Sequence, residues 1–268
     1  MKSALLFILI GVFVGLLLVF FKRKGTHQKH SMRVPDRDFP YQWRRILEDK
    51  IGFYQRLSRS EKLHFETKTH IFLLNVHIVG VNTEINDIDR ILVAASAIIP
   101  IFGFPNWHYM NLQEVEIYPT KFPIPESNKM AKGLTGWGAM EGKMMLSKKA
   151  LHEGYYDEND QINVAIHEFI HMLDKQDGTV DGVLDKVMKE IDVLPWLHLI
   201  HQKMEEIERG DSTIRDYGKT NKKEFLAVVG EFFFESPDKM KLEHPALYSA
   251  LDSIFNPTKA RKGGKYSR

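Results

Sequence analysis

Two histidines one helical turn apart, with a glutamate next to the first, are the residues of this sequence best suited to bind a metal ion. His167, Glu168 and His171 lie in a mostly apolar run from Val164 to Asp174. On an α-helix, residues i and i+4 share a face, so both imidazoles can point a ring nitrogen at one zinc ion about 2.0–2.1 Å away. Glu168 lies beside that face and can reach a water on the metal. This His-Glu-x-x-His pattern is typical of zinc peptidases, in which the glutamate is the general base.

The same three residues also fit the solvated face of a helix that binds no metal. A core stripe is available without them, from Ile162, Ala165, Ile166, Phe169, Ile170 and Leu173. However, apolar residues flank the polar ones on nearly all sides, which indicates a buried helix whose imidazoles need partners. We therefore predict a metal site on this helix, with Asp157, Asn159 or Asp160 as its N-cap.

Composition excludes several other kinds of site. Lysine and arginine number 37 against 35 aspartates and glutamates, a net charge of +2, so no nucleic-acid partner is expected. The sequence has no cysteine, which excludes disulfides, thiol catalysis and cysteine-ligated zinc. A length of 268 residues suits one catalytic domain with an extra segment.

The extra segment is predicted to be a membrane anchor. Residues 4–21 are uncharged and long enough to cross a bilayer as a helix, and they end at Lys22-Arg23-Lys24 without a signal-peptide cleavage site. The basic residues follow the run, so the rest of the chain should face the cytoplasm. We predict a single-pass anchor in the lipid bilayer at 1–24, a linker at 25–38 and a peptidase domain at 39–268.

The pattern within the domain predicts an α+β fold that is mainly helical. Helices are expected across residues 41–75 and at 86–102, where an apolar run after an acidic first turn indicates a buried helix. Short strands are expected at 76–81 and 112–118, and a glycine-rich hairpin at 133–147. This order is zincin-like: a small sheet packs on the metal helix, and a lower helical half follows.

The hairpin has two interpretations. Zinc peptidases commonly present a strand edge to an extended substrate just before the metal helix in sequence, and main-chain pairing there would suit a peptide. A hairpin with a purely structural role fits the pattern equally well.

The third metal ligand is not evident from local spacing. Asp177 lies where one class of zinc peptidases places its third ligand, but that class needs a glycine bend at position 174, and Asp174 stands there. Asp174 itself lies too far along the helix to bind a metal with both histidines. We assign it either to orienting a ligand imidazole, which we favour, or to the helix end with no role in the site.

Two downstream glutamates are better candidates for the third ligand. Glu224 and Glu231 lie on one stripe of a helix that begins near Asn221 and ends before Pro237. Both have phenylalanine neighbours, which indicates burial. Glu224 could instead complete a capping box with Asn221. Spacing alone does not choose between the two glutamates.

From about Ile71 to Pro237 the chain resembles the Mlc titration factor A family of zinc-dependent peptidases, whose catalytic core is similar to that of anthrax lethal factor. The matching segments are 114–119, 167–174, Asp177-Gly178, Asp181-Gly182, Tyr217 and 224–234. The resemblance implies that Glu224 is the third zinc ligand and that Tyr217 hydrogen-bonds the oxyanion. Glu231 matches a recurrent glutamate, which we assign to the surroundings of the ligands. The resemblance further implies a peptide or protein substrate and a transcriptional regulator as a partner. The N-terminal anchor is not part of the family's basic pattern.

The sequence thus predicts a membrane-tethered zinc metallopeptidase. One zinc ion would be bound by His167, His171 and Glu224, with Glu168 as general base and Tyr217 as oxyanion donor. One alternative is a regulatory module that sequesters a transcriptional regulator and has weak peptidase activity. Another is a non-catalytic membrane scaffold with a structural histidine pair. The sequence reveals no specificity pocket.

Overall fold

The computed structural model describes residues 32–109, 111–125, 127–136, 140–157, 160–184 and 187–257. The predicted anchor at residues 4–21 lies outside the described residues. Residues 32–40 form neither helix nor strand, and the first helix begins at Tyr41. Among the described residues, no helix combines the length and the apolar character needed to cross a membrane.

The described domain is mainly helical, with a small mixed sheet, as predicted. Its helices are α1 (Tyr41–Lys50), α2 (Gly52–Gln55), α3 (Arg59–Asn75), α4 (Asp87–Ile101), α5 (Lys148–Glu153), α6 (Val164–Asp174), α7 (Glu190–Glu208), α8 (Lys222–Glu235), α9 (Pro237–Glu243) and α10 (Pro245–Phe255). Its strands are β1 (His77–Gly80), β2 (Glu114–Tyr118), β3 (Phe122–Pro123), β4 (Met130–Ala131), β5 (Gly133–Thr135) and β6 (Lys143–Ser147).

The main sheet has the strand order β1-β2-β6-β5. Strands β1, β2 and β6 are parallel, and β5 pairs with β6 in the antiparallel sense, Gly133 opposite Leu146. The predicted glycine-rich hairpin is confirmed by this pairing, and β5 is an edge strand. A separate antiparallel ribbon, β3–β4, precedes β5 in the chain.

Helix α4 forms the centre of the core. A capping box between Asn86 and Asp89 starts it: each side chain accepts a hydrogen bond from the other residue's backbone N–H. Ile91, Ala94 and Ile99 are almost completely buried, because α4 packs against several helices, α6 among them. The prediction of a buried helix here is confirmed.

Helix α6, which carries the two histidines, begins later than the predicted caps at 157–160. Asn163 is the N-cap, and its side chain accepts a hydrogen bond from a backbone N–H of the first turn. Asp160 instead accepts from the N–H of Ile162 in the preceding turn. Gln161 has φ +61°, a left-handed conformation that interrupts the chain before the helix. The predicted cap was therefore wrong, because this backbone turn separates Asp160 from the helix.

Helices α6 and α8 approach closely at a residue without a side chain. Gly230 of α8 faces Ile170 of α6, and a Cβ on Gly230 would overlap the Cδ1 methyl of Ile170. Ile170 is fully buried, so this methyl has little space into which it could move. The glycine allows the two helices that carry the predicted ligands to pack together.

We expect Gly230→Ala to destabilise the protein by about 1–3 kcal/mol, because the added methyl overpacks the helix contact. Ile170→Val removes the Cδ1 methyl, so the double variant should regain most of the stability that Gly230→Ala loses. Chemical denaturation of the four proteins in a double-mutant cycle measures this coupling. If the losses in the free energy of unfolding of the two single variants are additive in the double variant, these residues do not limit the approach of the helices.

Candidate metal centre

The structure brings His167, His171 and Glu224 together around one point. Oε2 of Glu224 lies 3.1 Å from Nε2 of His167 and 3.2 Å from Nε2 of His171. One candidate ligand atom from each residue lies within 4.8 Å of the others. Bonds of zinc length in a tetrahedral site would place neighbouring ligand atoms about 3.3 Å apart. The geometry and the donor types of the cluster therefore fit a metal ion.

The position of Glu224 distinguishes its two predicted roles. Asn221 caps α8 by accepting the backbone N–H of Glu224 at 3.1 Å. The Glu224 carboxylate does not return the hydrogen bond that a capping box requires, and instead points at the two imidazoles. Glu224 therefore joins the histidines rather than the cap.

Glu231, two turns further along α8, contacts the opposite side of the His167 ring. Its Oε1 lies 2.7 Å from Nδ1 of His167 and also accepts a hydrogen bond from Arg215. Its Oε2 accepts the backbone N–H of Asn163, the cap of α6, at 2.7 Å. Because a carboxylate only accepts, Nδ1 must carry the proton, which leaves Nε2 of a neutral His167 available to a metal.

The cluster favours a positive charge at its centre. Burial alone would lower the pKa of His167, but attraction to Glu231 and hydrogen bonds with Glu224 and Glu231 raise this pKa to about 10. Burial alone would raise the pKa of Glu224, but its hydrogen bonds with the two histidines lower it well below its ordinary value. A divalent metal ion at this point would supply positive charge in place of the proton on the imidazole.

Glu168 lies beside this cluster and is held by the edge strand of the sheet. The hydroxyl of Thr135 donates to Oε2 of Glu168 at 2.8 Å. A Cβ on Gly133 would lie only 2.7 Å from Cγ of Glu168, so strand β5 needs a glycine there to lie so near. Glu168 thus lines the same cleft as the metal cluster. This cleft has a volume of about 650 Å³.

Tyr217 also lines this cleft. It occupies a short 3₁₀ turn, Asp216–Lys219, and its ring centre lies 6.0 Å from that of His167. Partial burial and the negative charges of Glu224 and Glu168 raise the pKa of Tyr217, so its hydroxyl stays protonated and can donate. One cleft is lined by all five predicted site residues, His167, Glu168, His171, Tyr217 and Glu224.

Asp174 does not orient a ligand imidazole through the hydrogen bonds of the described residues. Its Oδ2 accepts the backbone N–H of Gly182 at 3.1 Å. Gly182 has φ +80°, and a Cβ there would lie 2.5 Å from the carbonyl oxygen of Lys222. The Gly182 carbonyl accepts from Nε1 of Trp196 at 2.8 Å. Asp174 thus helps to connect the end of α6 with the start of α8, near Glu224.

Three residues of the site were not identified from the sequence as part of it. Thr135 and Gly133 belong to the predicted hairpin, but nothing in the pattern indicated that they contact Glu168. Arg215, which pairs with Glu231, lies two residues before Tyr217 in an irregular segment. No motif or periodicity in the sequence marks it as part of the site.

Glu235, one turn beyond Glu231, provides a useful contrast. It is buried, and neither carboxylate oxygen has a hydrogen-bond partner in the described part of the chain. Burial, followed by repulsion from Glu231 and Asp160, raises the pKa of Glu235 to about 9. The raised pKa favours the neutral carboxylic acid form of this side chain at neutral pH.

We expect Glu231→Gln to weaken metal binding about 10- to 100-fold, because the amide removes the charge that orients His167. Competition with a chelator of known affinity measures this loss. Glu235→Gln is the matched control: it replaces a neutral acid by a neutral amide one turn away and should leave metal affinity unchanged. Equal metal affinity in wild type and Glu231→Gln would contradict the role given to Glu231.

Comparison with known proteins gives a match over most of the chain. The family model described as Glucose-regulated metallo-peptidase M90 matches residues 24–256. Uncharacterized protein slr2042 of Synechocystis sp. is 29% identical over 235 residues, which cover 82% of this chain and 85% of that protein. Mlc titration factor A of Yersinia pestis and of Yersinia pseudotuberculosis is 27% identical over 151 residues, which cover 50% of this chain and 54% of the relative. The second similarity thus spans about half of either protein.

Proposed function

The chain belongs to the M90 family of glucose-regulated metallopeptidases, and we propose that it hydrolyses peptide bonds with zinc bound by His167, His171 and Glu224. Membership makes it a hydrolase and a metallopeptidase. The choice of zinc is supported by the donor set of two imidazoles and one carboxylate, which is typical of catalytic zinc sites that keep one position for water or substrate. The observation that carries the proposal is the placement of this cluster and Glu168 in one cleft.

The proposed mechanism assigns a separate task to each side chain. Zinc, when bound, supplies Lewis acidity, which lowers the pKa of a water towards about 7. Glu168, oriented by the Thr135 hydroxyl, takes the proton of the attacking water and later delivers it to the leaving amine. The Tyr217 hydroxyl donates a hydrogen bond to the developing oxyanion, a contribution commonly worth about 10²–10³ in rate.

Strand β5 offers backbone groups to an extended peptide. Its neighbours Lys132 and Gly136 hydrogen-bond to β6 through the carbonyl of Lys132 and the N–H of Gly136. Because the direction of backbone groups alternates along a strand, Gly133 and Thr135 turn theirs away from β6, towards the open edge. A substrate could pair there as an added strand, which supports a peptide substrate.

Glu168→Gln should keep the metal and lose peptidase activity, because the amide is similar in shape to the carboxylate but cannot take a proton. The measurement is cleavage of a quenched fluorescent peptide library by the full-length chain, with metal content determined on the same sample. A chelator should abolish wild-type cleavage. Substantial turnover by a metal-loaded Glu168→Gln variant would contradict the assigned mechanism.

We also propose that residues 4–21 anchor the protein in a membrane with the peptidase domain in the cytoplasm. The proposal is supported by their apolar length and by the basic residues that follow them.

If residues 4–21 are an anchor, the full chain should sediment with membranes and resist an alkaline carbonate wash. A variant with Phe13→Arg and Leu16→Arg should become soluble, because each arginine at the centre of a span costs about 2.5–3.5 kcal/mol. Release of the wild-type chain by the wash would contradict the anchor.

A second candidate function is favoured by the similarity to Mlc titration factor A, whose name describes a protein that titrates Mlc. This chain could likewise sequester a transcriptional regulator, with peptidase activity secondary. Binding of a purified regulator by metal-free full-length chain would distinguish that function from hydrolysis, which needs the metal.

A further inference from the structure

Two lysines border the cleft, and no described acidic side chain pairs with either of them. Lys129 and Lys132 lie immediately before and after strand β4, both are exposed, and both line the cleft of the metal cluster. Within the described ranges, neither ammonium group takes part in an ion pair or a hydrogen bond, and the hydrogen bond between Lys129 and Ser127 is made by the backbone N–H of Lys129. They are therefore free to interact with a molecule that enters the cleft.

The three glutamates of the described lining already have partners. Glu224 faces the two histidines, Glu231 holds His167 and Arg215, and Glu168 accepts from Thr135. The remaining cations of the lining lie beside these same carboxylates: Arg215 pairs with Glu231, and Nζ of Lys223 lies 3.7 Å from Glu224. No carboxylate of the described lining thus offsets the charges of Lys129 and Lys132, and a divalent metal ion at the cluster would add to these charges.

Exposed apolar side chains line the same cleft as the two lysines. Met130, between them in β4, is 56% exposed, and Ile162, which also lines the cleft, is 36% exposed. Further apolar side chains of the lining are those of Ile124, Ala131, Leu134, Val164 and Val180. A wall of this kind can bury a large apolar side chain, while the lysines attract carboxylates at its border.

We propose that the cleft selects peptide segments in which acidic side chains lie beside a large apolar residue, and that Lys129 and Lys132 determine this selectivity. The proposal deepens the proposed peptidase function and rests on it for the nature of the ligand. An ordinary pair of solubilising surface lysines would produce no such selectivity, so the binding of peptides with different charges separates the two roles.

The test uses full-length Glu168→Gln chain loaded with zinc, so that peptides bind without being cleaved. Three fluorescent peptides share one sequence around a central leucine and differ only in having two Glu, two Gln or two Lys residues beside it. Fluorescence anisotropy should give a Kd about tenfold lower for the Glu peptide than for the Gln peptide, since each exposed ion pair is worth up to about fivefold. The difference should shrink as salt is raised from about 0.01 to 1 M, because the Debye length then falls from about 30 to 3 Å.

Charge reversal identifies the residues responsible. In the same background, Lys129→Glu together with Lys132→Glu should reverse the order, so that the Lys peptide binds more tightly than the Glu peptide. Lys121→Glu is the matched control: it changes an exposed lysine of the same segment that does not line the cleft, and it should leave the order unchanged.

The outcomes separate this selectivity from the peptidase function. Equal binding of the three peptides, binding of none, or an unchanged order in the double variant would overturn the selectivity. Cleavage of any of these peptides by the wild-type chain would leave the peptidase function standing in each case. Conversely, selective binding without cleavage by the zinc-loaded wild type would overturn the peptidase function and retain the selectivity.

Discussion

The close packing of helix α6 against helix α8 is the constraint on which the rest of the site depends. His167 and Glu224 are 57 residues apart in sequence, and only this packing brings their side chains within hydrogen-bonding distance. Gly230 removes the side chain that would separate the helices. Glu231 of α8 then contacts α6 and the segment of Arg215 at once. It accepts hydrogen bonds from the backbone of Asn163, which caps α6, from the ring of His167 and from the side chain of Arg215. Its carboxylate therefore holds the N-cap residue of α6 and orients the His167 ring.

The charges of the site are mutually dependent. Burying a carboxylate without a partner is costly, and the cluster avoids that cost by placing Glu224 and Glu231 on opposite sides of one imidazole. Glu235, which lies on the same helix but lacks such partners, is held neutral instead, as its raised pKa of about 9 indicates. The lowered pKa of Glu224 therefore keeps its carboxylate charged at the point where a metal ion fits, while the raised pKa of Glu235 favours a neutral group that does not compete for the ion. Outside this balanced centre, Lys129 and Lys132 carry charge that the described protein does not offset.

The features that could be predicted from sequence are those encoded by local periodicity. His167, Glu168 and His171 share a face because of helix geometry alone, and α4 was recognisable from an acidic first turn and a continuous apolar run. The choice between Glu224 and Glu231 could not be made locally, because both lie on one stripe of α8 and only the position of α6 assigns them to different ring nitrogens. The same limit applies to Thr135, whose contact with Glu168 depends on where an edge strand lies. The N-cap of α6 was predicted a few residues too early, because the sequence of this polar loop does not indicate the left-handed conformation of Gln161.

Anomalous X-ray diffraction at the zinc edge, from crystals of the full-length chain loaded with zinc, tests the central claim most directly. The account predicts one strong peak between α6 and α8, about 2.0–2.2 Å from Nε2 of His167, Nε2 of His171 and a carboxylate oxygen of Glu224. Glu231 should remain on Nδ1 of His167, outside bonding distance of the metal. A peak coordinated by Glu231 instead of Glu224, or no peak between these helices in zinc-saturated crystals, would contradict the account.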